Sequence, residues 1–173
     1  MRVELPFGTA AGSVRWNLPR SGTIDVQLRR VRFGRWRGSP PASTWNGKRQ
    51  VGSPERPFAE LAIAHKLAQA GWVSAWVYRP GLYLSSWEPK VSVAFPAEAL
   101  SILAEIGRAC AVKGGCWDVF GWRAGVPIFA ELKWPGDHIR PSQRKWLDAA
   151  VQTGVLPDQF VIVQCAWRSS RAE

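Results

Sequence analysis

The sequence predicts an α/β layer fold with a mixed central sheet flanked by helices, preceded by a basic N-terminal extension. Three observations carry this. From residue 57 onward, segments with helical spacing and segments with strand alternation follow in the order helix, strand, helix, strand hairpin, helix, strand. A chain of 173 residues, 46% hydrophobic, can bury one core but not two full domains. Charge is concentrated at one end: residues 1–56 hold eleven Lys or Arg against three acids, a balance of +8 out of +10 for the chain. The expected division is therefore residues 1–56 as the extension and 57–173 as the folded domain.

Within the extension, "TIDVQLRRVRF" places Ile24, Val26 and Leu28 on one face and then shifts parity to Val31 and Phe33, which predicts a bulge or bend. The following "GRWRGSPPASTWNGKRQVGSPERP" has neither period and reads as an extended basic arm. Trp36 and Trp45 in it stand among cations, where they either stack nucleobases or pin the arm to the core. A helix is expected from Pro57 to Ala70, stopped by Gly71, with Glu60 sharing the apolar face of Ile63, Ala64 and Leu67. "WVSAWVY" and "VSVAF" read as strands, and "PAEALSILAEIGRA" as a helix opened by Pro96 and ending near Gly107. "CWDVFGW" and "VPIFAELK" form a hairpin joined by "RAG". A helix from Pro141 to Thr153 closes at Gly154, and "QFVIVQCAW" is a buried last strand.

Composition narrows the function classes. No run of about 18 uncharged apolar residues is present, so no membrane span is expected, and the first residues lack the apolar stretch of a secretory signal. A cytoplasmic protein is expected. Three cysteines, Cys110, Cys116 and Cys165, form no framework of paired spacings, and neither His65 nor His138 stands at a zinc-ligand or catalytic-base spacing from them. The Arg-rich surplus suits forked phosphate contacts, with Arg30, Arg32, Arg35, Arg37, Lys48 and Arg49 as candidates, unless the cations serve only as a solvated face.

Four polar residues stand in an otherwise apolar setting. In "VPIFAELK", alternation puts Glu131 and Lys133 on one strand face, and hairpin pairing brings the Asp118 carboxylate beside Glu131. Two adjacent buried carboxylates repel unless a divalent cation lies between them, and Mg²⁺ or Mn²⁺ suits such a pair. Lys133 would orient or deprotonate an attacking water, or neutralise charge building on phosphate oxygens. Gln143, in the first turn of the helix that carries Leu147 and Ala150, faces inward as well. Arg140, Arg144 and Lys145 lie beside them.

The order Glu60, Asp118, "AELK", then "IRPSQRKWL" resembles the PD-(D/E)xK nucleases and, within them, the VRR-NUC domain nucleases, over residues 57–166 and most specifically over 114–150. The resemblance implies a restriction-endonuclease-like core. It makes Asp118 and Glu131 metal ligands, Lys133 the residue serving the nucleophilic water, Gln143 a supporting residue and Glu60 a further acid near the metal. It also implies DNA, branched or flapped, as substrate and a homodimer as assembly. In place of the family's Pro-Asp stands Trp117-Asp118, and the gap from Glu60 to Asp118 is long. The competing expectation is a non-catalytic nucleic-acid-binding protein of the same fold. On either reading, removing residues 1–56 should weaken DNA binding and flatten its salt dependence while leaving the acidic site intact.

Overall fold

The computed structural model describes residues 4–34, 59–78, 83–85, 93–111 and 114–167. In chain order these form β1 (Thr9–Leu18), β2 (Gly22–Phe33), α1 (Ala59–Gln69), β3 (Val73–Tyr78), β4 (Tyr83–Ser85), α2 (Ala97–Ala109), β5 (Val119–Arg123), β6 (Val126–Lys133), α3 (Pro141–Gln152), a 3-10 turn at Pro157–Gln159, and β7 (Phe160–Trp167). One mixed sheet of seven strands, ordered β1-β2-β7-β6-β5-β3-β4, takes in every strand. The contacts of β7 with β2 and β6 are parallel, and the other four pairings are antiparallel.

The central strands are apolar on both faces because both faces are covered. Phe120, Phe129 and Phe160 point to the side of α2 and α3, where they meet Ile106, Trp146 and Leu147. Val119, Ile128, Ala130, Val161 and Val163 point the other way, onto Ile63, Ala64 and Leu67 of α1. The aromatic layer is closely built: Phe129 lies 4.9 Å from Trp146 and 5.0 Å from Phe120, ring centroid to centroid. Gly121 lets α1 approach, since a Cβ there would come within 2.6 Å of an Ile128 methyl and 3.3 Å of Leu67.

The structure corrects the N-terminal expectation. Residues 9–33 are not an appendage, because β2 pairs in register with β7 from Gln27 to Phe33 and so lies inside the sheet. Nor does the parity change in β2 mark a bulge. Ile24 and Val26 are buried in the α2/α3 layer while Val31 and Phe33 are buried in the α1 layer, so one regular strand buries opposite faces at its two ends. The irregularity belongs to β1, between Ala10 and Ser13, where Gly12 takes φ +99°. "VSVAF" is not a strand over its described residues 93–95, and the short strand before α2 is β4. Helix α2 runs through Gly107 to Ala109. The arm, with Trp36, Trp45, Arg35, Arg37, Lys48 and Arg49, lies outside the described residues.

The predicted hairpin is present, with Arg123 opposite Val126 and only Ala124 and Gly125 in the turn. Both take positive φ, 49° and 80°, as a tight turn matched to strand twist requires.

Candidate active site

Glu131 is the centre of the site. Strand alternation aims it into the α2/α3 layer beside Phe129, where it is 1% exposed. One of its oxygens, Oε1, receives Lys133 Nζ at 2.6 Å and also the Gln143 side-chain amide. The other, Oε2, is buried and accepts no hydrogen bond among the described residues. An unpaired buried carboxylate oxygen is costly, and the structure concentrates that cost at one atom.

Asp118 stands just before β5, next to the buried ring of Trp117, which packs edge-on against Trp16 and Phe160. That indole anchors the segment from inside the core. Asp118 Oδ2 accepts the Leu132 backbone N–H at 2.9 Å, which ties the carboxylate to β6 beside Glu131. The sequence expectation that pairing would bring these two acids together therefore holds.

Gln143 is placed by the start of α3. Its Oε1 accepts the Arg140 N–H at 2.9 Å, closing the first turn, and also lies 3.4 Å from Lys133 Nζ. Its amide nitrogen is left to donate to Glu131. The residue expected to touch water or substrate is thus committed to holding Glu131 and Lys133 in register. The turn is pressed into place by Gly115 (φ +90°), where a Cβ would lie 2.2 Å from the Ser142 carbonyl oxygen.

Electrostatics unite three acids. Burial, with the Asp118 charge adding to it, pushes the Glu131 carboxyl up to about 7 against the opposing pull of Lys133 and Gln143. Asp118 is also raised by burial, and is held down by the Leu132 N–H and by the positive charges of Lys133 and Arg140. Glu60, half-buried on α1, is pushed up to about 7 by burial and then by Asp118. Mutual repulsion among one buried and two half-buried acids is what a bound cation relieves.

Among the described residues no three His, Cys, Asp or Glu side chains form a group able to hold a metal ion on their own. Glu60 therefore stands near Asp118 without completing a three-ligand set. The arrangement fits a cation of the magnesium type, which takes one or two carboxylates and fills its shell with water and phosphate oxygens. The free Oε2 of Glu131 and the Asp118 carboxylate are the donors such an ion would use.

The predicted phosphate-contacting cations divide. Arg30, Arg32, Arg140, Arg144 and Lys145 are all exposed. Arg30 pairs with Gln164 on β7, and Gln164 pairs with Lys133 on β6, so Arg30 and Lys133 share a sheet face two strands apart. Two other cations of the basic segment serve the fold instead. Arg29 donates to the carbonyls of Phe7 and Gly8, each at 2.7 Å, and Arg15 forms an exposed pair with Asp25. His138 is an exposed turn residue. None of the three cysteines is in a disulfide. Burial pushes the Cys165 thiol up to about 12 and raises Cys116 further, so both are poor nucleophiles.

Sequence reasoning passed over Asp148. It is 5% exposed on α3, and its carboxylate accepts the backbone N–H groups of Arg20 and Ser21 and the Ser21 hydroxyl at 3.1, 2.9 and 2.6 Å. An acid inside the apolar run "WLDAA" was the available signal. Its role is to fasten the β1–β2 turn to the helix that carries Gln143. Compared with known proteins, the chain matches no family model and no curated protein.

Proposed function

We propose that the protein is a divalent-metal-dependent nuclease that hydrolyses phosphodiester bonds in DNA, with a restriction-endonuclease-like core of the PD-(D/E)xK kind. The observation that carries this reading is the Glu131 carboxylate: 1% exposed, tethered through one oxygen to Lys133 and Gln143, unpartnered at the other among the described residues, and beside a second, half-buried acid. Asp118 and Glu131 would hold Mg²⁺ or Mn²⁺, which when bound supplies Lewis acidity toward phosphate oxygens and water. Lys133, with its ammonium at the mouth of this pair, is 15% exposed and can reach incoming solvent or phosphate. It holds the attacking water by hydrogen bond and offsets the negative charge that develops on the phosphoryl oxygens. Gln143 fixes Lys133 and Glu131 relative to each other, and Glu60 adds negative potential behind Asp118. Arg30, Arg32, Arg140, Arg144 and Lys145 attract and align the strand.

The resemblance extends the proposal to branched or flapped substrates and a homodimer. The test is incubation of the purified protein with supercoiled, branched and flapped DNA in Mg²⁺, Mn²⁺ or EDTA. Cutting that requires metal and is lost in Lys133→Ala and Asp118→Ala is the expected result. A second reading, a nucleic-acid binder without catalysis, is favoured by the closed Lys133–Glu131 ion pair at 2.6 Å, which neutralises part of the site without any metal. Binding without cutting on every substrate and metal would select it.

A further inference from the structure

Strand β7 reads Phe-Val-Ile-Val-Gln-Cys-Ala-Trp, and Gln164 is its single amide or charged side chain. The residues on either side of it, Val163 and Cys165, are buried against the α1 layer, yet Gln164 is exposed. This is not the exposure of a sheet edge, because β7 is an interior strand with two strands on one side and four on the other. It arises because α2 and α3 cover only part of their sheet face. Across β6, β7 and β2 the row Glu131, Ile162 and Leu28 lies under that layer, buried, buried and half-buried. The next row on the same face is Lys133, Gln164 and Arg30, of which the first is half-buried and the other two are exposed. One row further on, exposed Arg32 stands beside Ala166.

The opening is one-sided: Val31, Phe33, Val163 and Cys165 keep the α1 face of the same strand ends closed. Because β7 runs parallel to both of its neighbours, three C-terminal strand ends meet here, which is where open α/β sheets receive ligands. A helix layer about 10 Å thick stops at this row and makes it the floor of a step. The first turn of α3 stands at the Lys133 end, with Gln143 Oε1 3.4 Å from Lys133 Nζ. Neighbouring strands lie about 4.8 Å apart, so the row spans roughly 10 Å at right angles to the strands. Among the described residues no acid forms an ion pair with Arg30 or Arg32. A third cation between Lys133 and Arg30 would repel both at that spacing, whereas a Gln amide donates hydrogen bonds without adding charge.

We propose that Gln164 is a substrate-contact residue whose side-chain amide donates to a backbone phosphate next to the one cut, with the bound strand crossing the ends of β6, β7 and β2 from Lys133 toward Arg30 and Arg32. The identity of the polymer and of the cut phosphate rests on the nuclease reading; the direction of the path comes from the sheet register. Contacts of this kind position a strand and read no base. Gln164 differs from the flanking cations in a measurable way. A neutral hydrogen bond displaces no counterion, so its loss weakens binding without changing salt dependence, while each cation on the path adds about 0.9 to the slope of log affinity against log salt.

The test measures binding of a labelled DNA duplex to the intact protein in EDTA, so that no cutting intervenes, by fluorescence anisotropy over a series of salt concentrations. Gln164→Leu should bind about three- to tenfold more weakly with the slope unchanged. Gln164→Lys should bind more tightly at low salt and steepen the slope by about 0.9, a gain that misfolding cannot produce. Thr23→Lys is the control, adding the same charge at an exposed position near the start of β2. That position is about 23 Å from Arg30 along the strand, beyond the reach of screened charge at about 0.1 M salt, and the slope should not change. An unchanged slope in Gln164→Lys, an equal change in Thr23→Lys, or undiminished binding by Gln164→Leu would each overturn the proposal. Any of these leaves the nuclease reading standing where metal-dependent cutting persists. Failure of the unmodified protein to bind DNA would remove both.

Discussion

Single side chains at the site have separable parts to play. Lys133 and Gln143 touch the same Glu131 oxygen but differ in role, and kinetics can separate them. On the proposed nuclease reading, Lys133→Ala removes the group that would lie next to the reacting atoms and is expected to lower the cleavage rate by about two to four orders of magnitude. Gln143→Ala removes a positioning contact and should lower it by roughly 10–100-fold. Rates on a single substrate at saturating Mg²⁺ check the ranking, and a larger loss in Gln143→Ala would contradict it.

Glu131 itself makes a pH prediction. In the metal-free protein its carboxyl titrates near 7 rather than at its ordinary 4.5, so the folded state holds the proton more tightly than the unfolded chain does. The Glu131 contribution to stability is then complete below about 4.5, falls as pH rises to about 7, and is level above that. The Glu131 contribution is about 3 kcal/mol and is absent in Glu131→Gln, which keeps only the part of the slope that Glu60, also pushed up to about 7, contributes. Thermal melts in EDTA across that range measure the slope. Addition of Mg²⁺ at alkaline pH should restore stability to the unmodified protein and not to Glu131→Gln.

Elements are held in place by contacts that composition and periodicity do not announce. The hairpin of β5 and β6 was legible because two apolar runs flank the short Arg-Ala-Gly turn signal, and it carried the pairing of Asp118 with Glu131. The inward aim of Gln143 was legible from helical spacing, but its commitment to Arg140 and Glu131 was not, because spacing gives direction and says nothing of partners. The β1–β2 strands were misread for a physical reason. A strand that buries one face at its start and the other at its end looks like a broken period, and the parallel pairing to β7 joins residues about 130 positions apart in sequence. Asp148 makes a related case: three hydrogen bonds to residues on the distant β1–β2 turn explain a helix acid in an apolar run. Asp148→Ala removes the acceptor of two part-buried backbone donors and should cost about 1–2 kcal/mol in denaturant unfolding, with Asp148→Asn costing less. In the opposite direction, Ala124 occupies a positive-φ turn position that favours Asn or Gly. Ala124→Asn should stabilise the fold by about 0.5–1 kcal/mol without affecting the site.

At the scale of the whole molecule, the placement of β2 decides how charge can be tested. Removing residues 1–56 would strip two strands from one sheet and uncover Val161, Val163 and Ile162 on β7, so the truncated chain should fail to fold rather than merely bind DNA less well. The electrostatic contribution has to be examined with the sheet intact. Arg30 and Arg32 allow this, because both are exposed on β2 and lie on the sheet face shared by Glu131 and Lys133, with Arg30 and Lys133 separated by about two strand spacings, roughly 10 Å. If they contact phosphates, the double variant Arg30→Gln with Arg32→Gln should reduce the slope of log affinity against log salt by roughly 2 for duplex DNA. Its melting temperature should stay close to that of the unmodified protein, since neither side chain is buried. An unchanged slope would move the phosphate path to the other side of the site, onto Arg140, Arg144 and Lys145 around α3. The same titration on the corresponding α3 variants then locates it, because each lost phosphate contact lowers the slope by about 0.9 wherever the contact is made.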